Sequence, residues 1–161
     1  MKTERKSAFS VWLFLACVTY ILNIVAGATV LGACANLSIA NEAYSLSGPV
    51  SINSATCFNI TAQNITLDCA GFTITGNKTA NTYGVYSNMF NTTLKNCKIS
   101  NFTRGVYINT ANGGTIQNVT ANSTGGSGIF ISWNSNFTTI INATGISNSS
   151  HGISLQSNNN T

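Results

Sequence analysis

Charge is what this chain has least of. Only 6% of its 161 residues are Asp, Glu, Lys or Arg, against about a quarter in an ordinary soluble domain. The sequence holds three carboxylates, one histidine and one proline. Beyond residue 33 the acids are Glu42 and Asp68, and the bases are Lys78, Lys95, Lys98 and Arg104. Each scarcity excludes something. Glycoside hydrolysis needs two carboxylates across one bond, and neither Glu42 nor Asp68 has a second acid near it in sequence. A calcium cage needs several oxygen ligands, mostly carboxylates. Serine chemistry needs a base and its orienting acid, and neither a G-x-S-x-G elbow nor a His/Asp set is present. Four scattered bases make no footprint for nucleic acid. The expectation is a chain that is not an enzyme, holds no metal and uses no cofactor. Asp68, in "LDCAG", reads as a turn cap bonding backbone amides. Arg104 and His151 fall where other units carry Tyr83 and Ser127, and read as solvent-facing turn positions.

What the sequence does have begins with a leader. "MKTERK" precedes "SAFSVWLFLACVTYILNIVAGATVLGA", an uncharged run ending at residue 33. Basic residues followed by an apolar stretch and the small residues "AGA" at 26–28 predict an N-terminal apolar helix acting as an export signal. The run is also long enough for a retained membrane anchor over residues 8–31. "LGAC" (31–34) offers a third route, a lipoprotein box on Cys34. All three place residues 34–161 outside the cell.

The remainder is a repeat. "GVYS" (84–87), "GVYI" (105–108), "GIFI" (128–131) and "GISL" (152–155) recur about 21 to 24 residues apart. Registered on Gly84, Gly105, Gly128 and Gly152, the residues one and three places on are Val85/Ser87, Val106/Ile108, Ile129/Ile131 and Ile153/Leu155. Alternation with period two predicts a strand with one buried face, and the leading glycine predicts a turn with positive φ. The residues between, Tyr86, Tyr107, Phe130 and Ser154, should face outward. A second strand per unit, "ITLDC" (65–69), "TTLKNC" (92–97), "GTIQNV" (114–119) and "TTIINA" (138–143), aligns on Leu67, Leu94, Ile116 and Ile140. Two residues later stand Cys69, Asn96, Asn118 and Asn142, which predicts an inward Asn ladder along the stack.

Short strands, turn residues and this period define a solenoid. The L-x-x-L-x-L pattern of leucine-rich repeats is absent, and helix formers are too few for helical repeats. The sequence resembles the right-handed parallel β-helix repeat proteins of pectate-lyase-like architecture, above all their Asn- and Gly-rich prokaryotic surface proteins. "NITLDCAGFTITG" (64–76) resembles an opening coil of that group and "GTIQNVTANSTGGSGIFI" (114–131) its running coils. The resemblance implies an all-β, right-handed parallel β-helix over about residues 34 to 161; "CANLSIANEAYSLSGPVSINSATCFNI" (34–60) is expected to form an irregular first coil, and the register breaking off at "SLQSNNNT" (154–161) predicts an uncapped last coil. It specifies fold more than activity, since the architecture carries many functions. An exported, non-enzymatic cell-surface protein with an adhesive, envelope or scaffold role is the first expectation. Its partners would be glycans or envelope components, with the membrane reached through the leader if uncleaved. The alternative is a carbohydrate-binding module, or the stalk of a polysaccharide-active enzyme whose catalytic part lies elsewhere. There the outward stripe Tyr86, Tyr107 and Phe130 would stack on sugar rings; equally, the stripe could only brace its sheet. A disordered Asn-rich segment is disfavoured by the aliphatic register.

Twelve Asn-x-Ser/Thr sequons occur: Asn36, Asn59, Asn64, Asn77, Asn91, Asn101, Asn118, Asn122, Asn136, Asn142, Asn148 and Asn159. Turn positions Asn77, Asn101 and Asn148 are the expected acceptors, and ladder positions Asn118 and Asn142 poor ones. Preference for Asn and Thr in turns and strands also explains the excess.

Past the leader and its Cys17, four cysteines remain: Cys34, Cys57, Cys69 and Cys97. An even number in an exported domain predicts disulfides, and there is no C-x-x-C spacing to suggest metal. Coils stack about 4.8 Å apart, within the roughly 4.4–6.8 Å Cα reach of a disulfide. Cysteines about one coil apart can therefore bridge, which selects Cys34–Cys57 and Cys69–Cys97. Denatured but unreduced exported protein should titrate none of these four thiols, and a count of four free thiols would refute the pairing.

Overall fold

The computed structural model describes residues 27–157 and 159–161. Residues 1–26 of the expected leader (1–33) and anchor (8–31) lie outside the described residues, and within the remainder Thr29–Leu31 is a strand rather than part of a helix. The described chain is all-β and winds as a parallel β-helix. Each turn after the first passes through three short strands, and each strand pairs in parallel with its equivalent one turn on. Sheet I contains β1 (Thr29–Leu31), β3 (Ala43–Leu46), β6 (Thr66–Asp68), β9 (Thr93–Lys95), β12 (Thr115–Gln117) and β15 (Thr139–Ile141). Sheet II contains β4 (Val50–Ser51), β7 (Thr73–Thr75), β10 (Lys98–Phe102), β13 (Thr120–Ser123) and β16 (Thr144–Ser147). Sheet III contains β2 (Ala35–Leu37), β5 (Phe58–Ile60), β8 (Tyr83–Ser87), β11 (Arg104–Ile108), β14 (Ile129–Ile131) and β17 (Ile153–Leu155). The stack takes in Thr29–Leu31, ahead of the expected boundary at residue 34. No helix among the described residues is long and apolar enough to cross a membrane.

Parallel pairing, in register apart from a bulge between Ile99 and Phe102 where β10 meets β13, puts equivalent side chains in vertical columns. Sheet III stacks Phe58, Val85, Val106, Ile129 and Ile153, in that order. Sheet I stacks Tyr44, Leu67, Leu94, Ile116 and Ile140. Sheet II stacks Val50, Ile74, Ile99, Ala121 and Gly145. These columns converge on one dry core from Leu37 to Ile131, whereas Ile153 and Leu155 of the last coil are exposed. Ser87 breaks the column of Ile60, Ile108 and Ile131, and it is fully buried. Its hydroxyl lies 2.6 Å from Thr92 Oγ1 and accepts the Met89 amide, so the buried polar group has partners.

Two staples tie coil to coil. Cys34–Cys57 and Cys69–Cys97 are disulfides with Cα atoms 4.6 and 4.9 Å apart. Their presence points to an oxidising environment.

The repeated glycines have a different cause from the one the sequence suggests. Gly71 and Gly113 are the glycines with positive φ among the described residues; Gly84, Gly105, Gly128 and Gly152 are not. They are required by crowding between sheets II and III. A Cβ on Gly105 would stand 2.6 Å from Ala121 Cβ and 2.8 Å from the Gly128 carbonyl oxygen. One on Gly84 would run into Ile99 Cγ2. The left-handed backbone is supplied by asparagine instead. Ten of the fifteen non-glycine residues with positive φ are Asn, the side chain that best tolerates it after Gly.

Gly105→Ala should therefore lower the unfolding free energy by about 1–3 kcal/mol, as overpacking typically does. Gly48→Ala, where an added Cβ meets nothing within 4 Å, should leave it nearly unchanged. Denaturant midpoints of the two variants check this.

Candidate functional site

The outer face of sheet III carries the most unusual side chains. One outward row reads Asn36, Asn59, Tyr86, Tyr107, Phe130 and Ser154. Beside it Tyr83 pairs with Arg104. The rings are half-buried and touch one another. Tyr86 and Tyr107 meet edge to face at 5.4 Å, Tyr83 and Tyr107 at 5.1 Å, and Tyr107 and Phe130 are tilted at 5.2 Å. Edge-to-face contact is the favoured aromatic geometry. It also means that this row is not a coplanar platform. The Arg104 guanidinium roofs it, 4.8 Å from the Phe130 centroid, 5.1 Å from Tyr107 and 6.0 Å from Tyr83. Arg104 is thus a half-buried strand residue in cation–π contact, not the open turn position expected of it. Its Nε is buried without a hydrogen-bond partner, and no carboxylate among the described residues pairs with it. Asn109 Nδ2 donates to Tyr86 Oη (3.2 Å), while Asn109 Oδ1 accepts from Ser132 Oγ (2.7 Å). This polar chain across three coils fixes the Tyr86 hydroxyl.

Both described carboxylates have partners of their own. Glu42 accepts from Thr29 Oγ1 at 2.6 Å. Asp68 Oδ1 accepts the Ala70 amide (2.8 Å) and Asn96 Nδ2 (2.9 Å), and Oδ2 lies 3.3 Å from Lys95 Nζ. The turn-cap role expected for Asp68 is thereby filled. Partial burial by itself would raise its pKa. The bonds from Asn96, Ala70 and Lys95, with the Lys95 charge, outweigh that and hold it below the ordinary 3.8. Among the described residues no three His, Cys, Asp or Glu side chains gather as metal ligands. His151 is exposed.

The asparagine ladder exists, but outside. Asn118 Nδ2 donates to Asn96 Oδ1 (3.1 Å), which continues to Asp68. Asn96, Asn118 and Asn142 all have positive φ, so each turns the chain outward, and Asn118 and Asn142 are exposed rather than inward. The inward neighbour of Cys69 is its disulfide partner Cys97, one residue past Asn96. A second ladder, invisible to that alignment, runs from Asn91 through Asn64 to Asn41 at 3.2 and 2.7 Å. Of the expected glycan acceptors, Asn77 and Asn148 are exposed, whereas Asn101 is half-buried within β10. Asn77 Oδ1 also accepts from Thr79 Oγ1 at 2.6 Å and from the Ser54 amide at 3.2 Å.

One group of candidates went unmarked in the sequence. Phe90, Trp133 and Phe137 are 55%, 68% and 64% exposed, and all lie in the turns that lead from sheet III to sheet I. These turns lie outside the alternating strand pattern, so nothing in the strand register points to them. No protein family, curated protein or solved structure matches the chain.

A carboxylate whose pKa is lowered on folding stabilises the fold above its ordinary pKa, and that contribution disappears as pH falls through the folded value. Stability should therefore fall as the pH drops below the ordinary value of 3.8, and Asp68→Asn should flatten that drop. Denaturant midpoints measured across the range test the pair.

Proposed function

We propose that this chain is an exported, non-enzymatic β-helix of the right-handed, Asn- and Gly-rich kind it resembles, acting at the cell surface as an adhesive, envelope or scaffold protein. The observation that carries the reading is the pair of disulfides joining neighbouring coils, Cys34–Cys57 and Cys69–Cys97. Such staples belong to chains that fold in an oxidising compartment. The exterior agrees with this. Its polarity comes from amides and hydroxyls, and each described carboxylate is engaged separately, Glu42 by Thr29 and Asp68 by the Ala70 amide and Asn96. Lys95 is matched by Asp68, which leaves too little free positive charge for a nucleic-acid partner. Glycans on exposed sequons such as Asn77 and Asn148 would add solubility to so uncharged a surface.

A second reading, a carbohydrate-binding module or stalk, is favoured by the row Tyr86, Tyr107 and Phe130. The Arg104 guanidinium above those rings has no counter-charge within the described chain. An aromatic row with an unneutralised cation suits a sugar that bears an acid group.

Fractionation of cells expressing the tagged chain, with surface proteolysis of intact cells, tests the first reading. The protein should be outside and its four described cysteines oxidised; a cytosolic, reduced chain would overturn it. Tyr86→Ala with Tyr107→Ala tests the second. Loss of retention on an acidic polysaccharide with an unchanged melting temperature supports it, and loss of folding alone leaves the row a brace for its sheet.

A further inference from the structure

Sheet I differs from the other two sheets in what its outer face leaves out. Its strands contain no asparagine. Sequon asparagines stand on the strands of sheet II, at Asn101 and Asn122, and of sheet III, at Asn36 and Asn59. The strands of sheet I therefore offer no acceptor for a glycan. Their pairing runs from β1 to β15 without a shift of register, whereas sheet II has its bulge. One outward column is threonine in four successive coils, Thr66, Thr93, Thr115 and Thr139. Short, identical side chains keep that half of the face even.

The second outward column is ordered in a different way. Along the stack it reads Val30, Ser45, Asp68, Lys95, Gln117 and Ile141. From either end the order is apolar, uncharged polar, charged. At the centre the charges have opposite signs, with Lys95 Nζ 3.3 Å from Asp68 Oδ2. Both side chains are still partly open to solvent, at 38% for Lys95 and 27% for Asp68. At the ends of the column Val30 and Ile141 are 67% and 40% exposed.

A two-fold axis parallel to the strands, in the plane of contact and midway between β6 and β9, turns the stack end for end. It leaves each column facing its own counterpart. Asp68 then meets Lys95 of a second copy, and Lys95 meets that copy's Asp68. Ser45 meets Gln117, Val30 meets Ile141, and Thr66 meets Thr93. A patch that is complementary to itself under a two-fold rotation is what an isologous dimer requires. Neither of the other sheets has this property. Sheet II presents Lys98 and sheet III presents Arg104, and no strand of either sheet contains an acid.

We propose that the outer face of sheet I is a homodimer interface, where two copies of this chain pack with their stacks running in opposite directions and the Asp68–Lys95 pair of one against the Lys95–Asp68 pair of the other. Each acid then lies between two bases, its own and the other copy's. The dimer leaves sheet III uncovered and does not depend on the role given to the aromatic row.

Sedimentation velocity tests this on the full chain with its disulfides formed. A micromolar concentration series at low salt should show a monomer–dimer equilibrium, which weakens as salt is added. Two double variants probe the register. Within one chain Ser45 stands beside Asp68, and Gln117 beside Lys95. Ser45→Lys with Gln117→Glu therefore places opposite charges together within each column and also across the dimer. Association should tighten about tenfold. Ser45→Lys with Gln117→Lys sets like charges across the same contact, and association should weaken about tenfold. Thr144→Lys, an exposed substitution on sheet II, should change nothing. Melting curves show whether each variant folds, and a tightened, discrete dimer cannot arise from lost folding. A chain that stays monomeric, a dimer that both double variants shift in the same direction or leave unmoved, or a dimer weakened by Thr144→Lys would each overturn the proposal.

Discussion

Every feature of this molecule follows from one constraint: the backbone of each coil hydrogen-bonds in parallel to the next, in register. A residue therefore cannot be chosen alone. Its neighbours above and below are its counterparts in adjacent coils, about 4.8 Å away. An aliphatic column such as Val85, Val106 and Ile129 is then a continuous dry contact, and a polar residue inside it must bring its own partner, as Ser87 does with Thr92. Sheet II shows the same coupling sideways. As its inward column shrinks from Ile99 to Ala121 to Gly145, the glycines of sheet III close against it.

The same constraint explains the shortage of charge. Outward residues are stacked as closely as inward ones, so repeating a charged residue at an outward position would set like charges directly opposite one another, which destabilises a sheet. The outward column of sheet I contains one adjacent charged pair, Asp68 over Lys95, and the signs are opposite. Elsewhere the chain uses Asn, Ser and Thr, which can bond along the stack as a ladder instead of repelling. It also explains the abundance of Asn more directly than sequons do. The corner from sheet III to sheet I and, past the first coil, the corner from sheet I to sheet II repeat a residue in the left-handed region, and Asn fills most of these positions while its side chain bonds a neighbouring coil. Six of the twelve sequon asparagines, Asn64, Asn91, Asn101, Asn118, Asn142 and Asn159, are residues of this backbone class. Half of the sequons thus fall where the backbone itself calls for Asn.

What could be read from the sequence was whatever repeats with period two. The strands of sheets I and III, their registers on Leu67–Ile140 and Val85–Ile153, and the two disulfides all follow from that spacing and from the coil rise. Sheet II was missed because its inward residues include Ala121 and Gly145, which carry no hydrophobic signal, in strands as polar as "TANS". The glycine column was visible, but its cause was not, since crowding by Ile99 and Ala121 is a contact between coils and sheets rather than a local turn. The ladder was placed inside because Asn96 was aligned with Cys69, whereas the chain inserts one left-handed residue there and returns inward at Cys97. Arg104 looked like a variable turn residue since its neighbours in the repeat, Tyr83 and Ser127, share no chemistry with it; only the fold shows that three rings lie beneath it.

A solenoid makes function legible in a particular way. When each column has a rule, a residue that breaks it either has found a local remedy or serves something outside the column. Ser87 has its remedy in Thr92, and Asp68 has its own in Lys95, Asn96 and the Ala70 amide. Arg104 is remedied in part: the rings stabilise its charge, but its Nε has no acceptor. Phe137 has none. It occupies a corner that Asn or Gly fills in every preceding coil, leaves its ring in water, and shares its turn with an equally exposed Trp133. Stability would be better served by Asn at that position, as in the coils below. There the preference that the other coils show is set aside, and aromatic surface is left exposed.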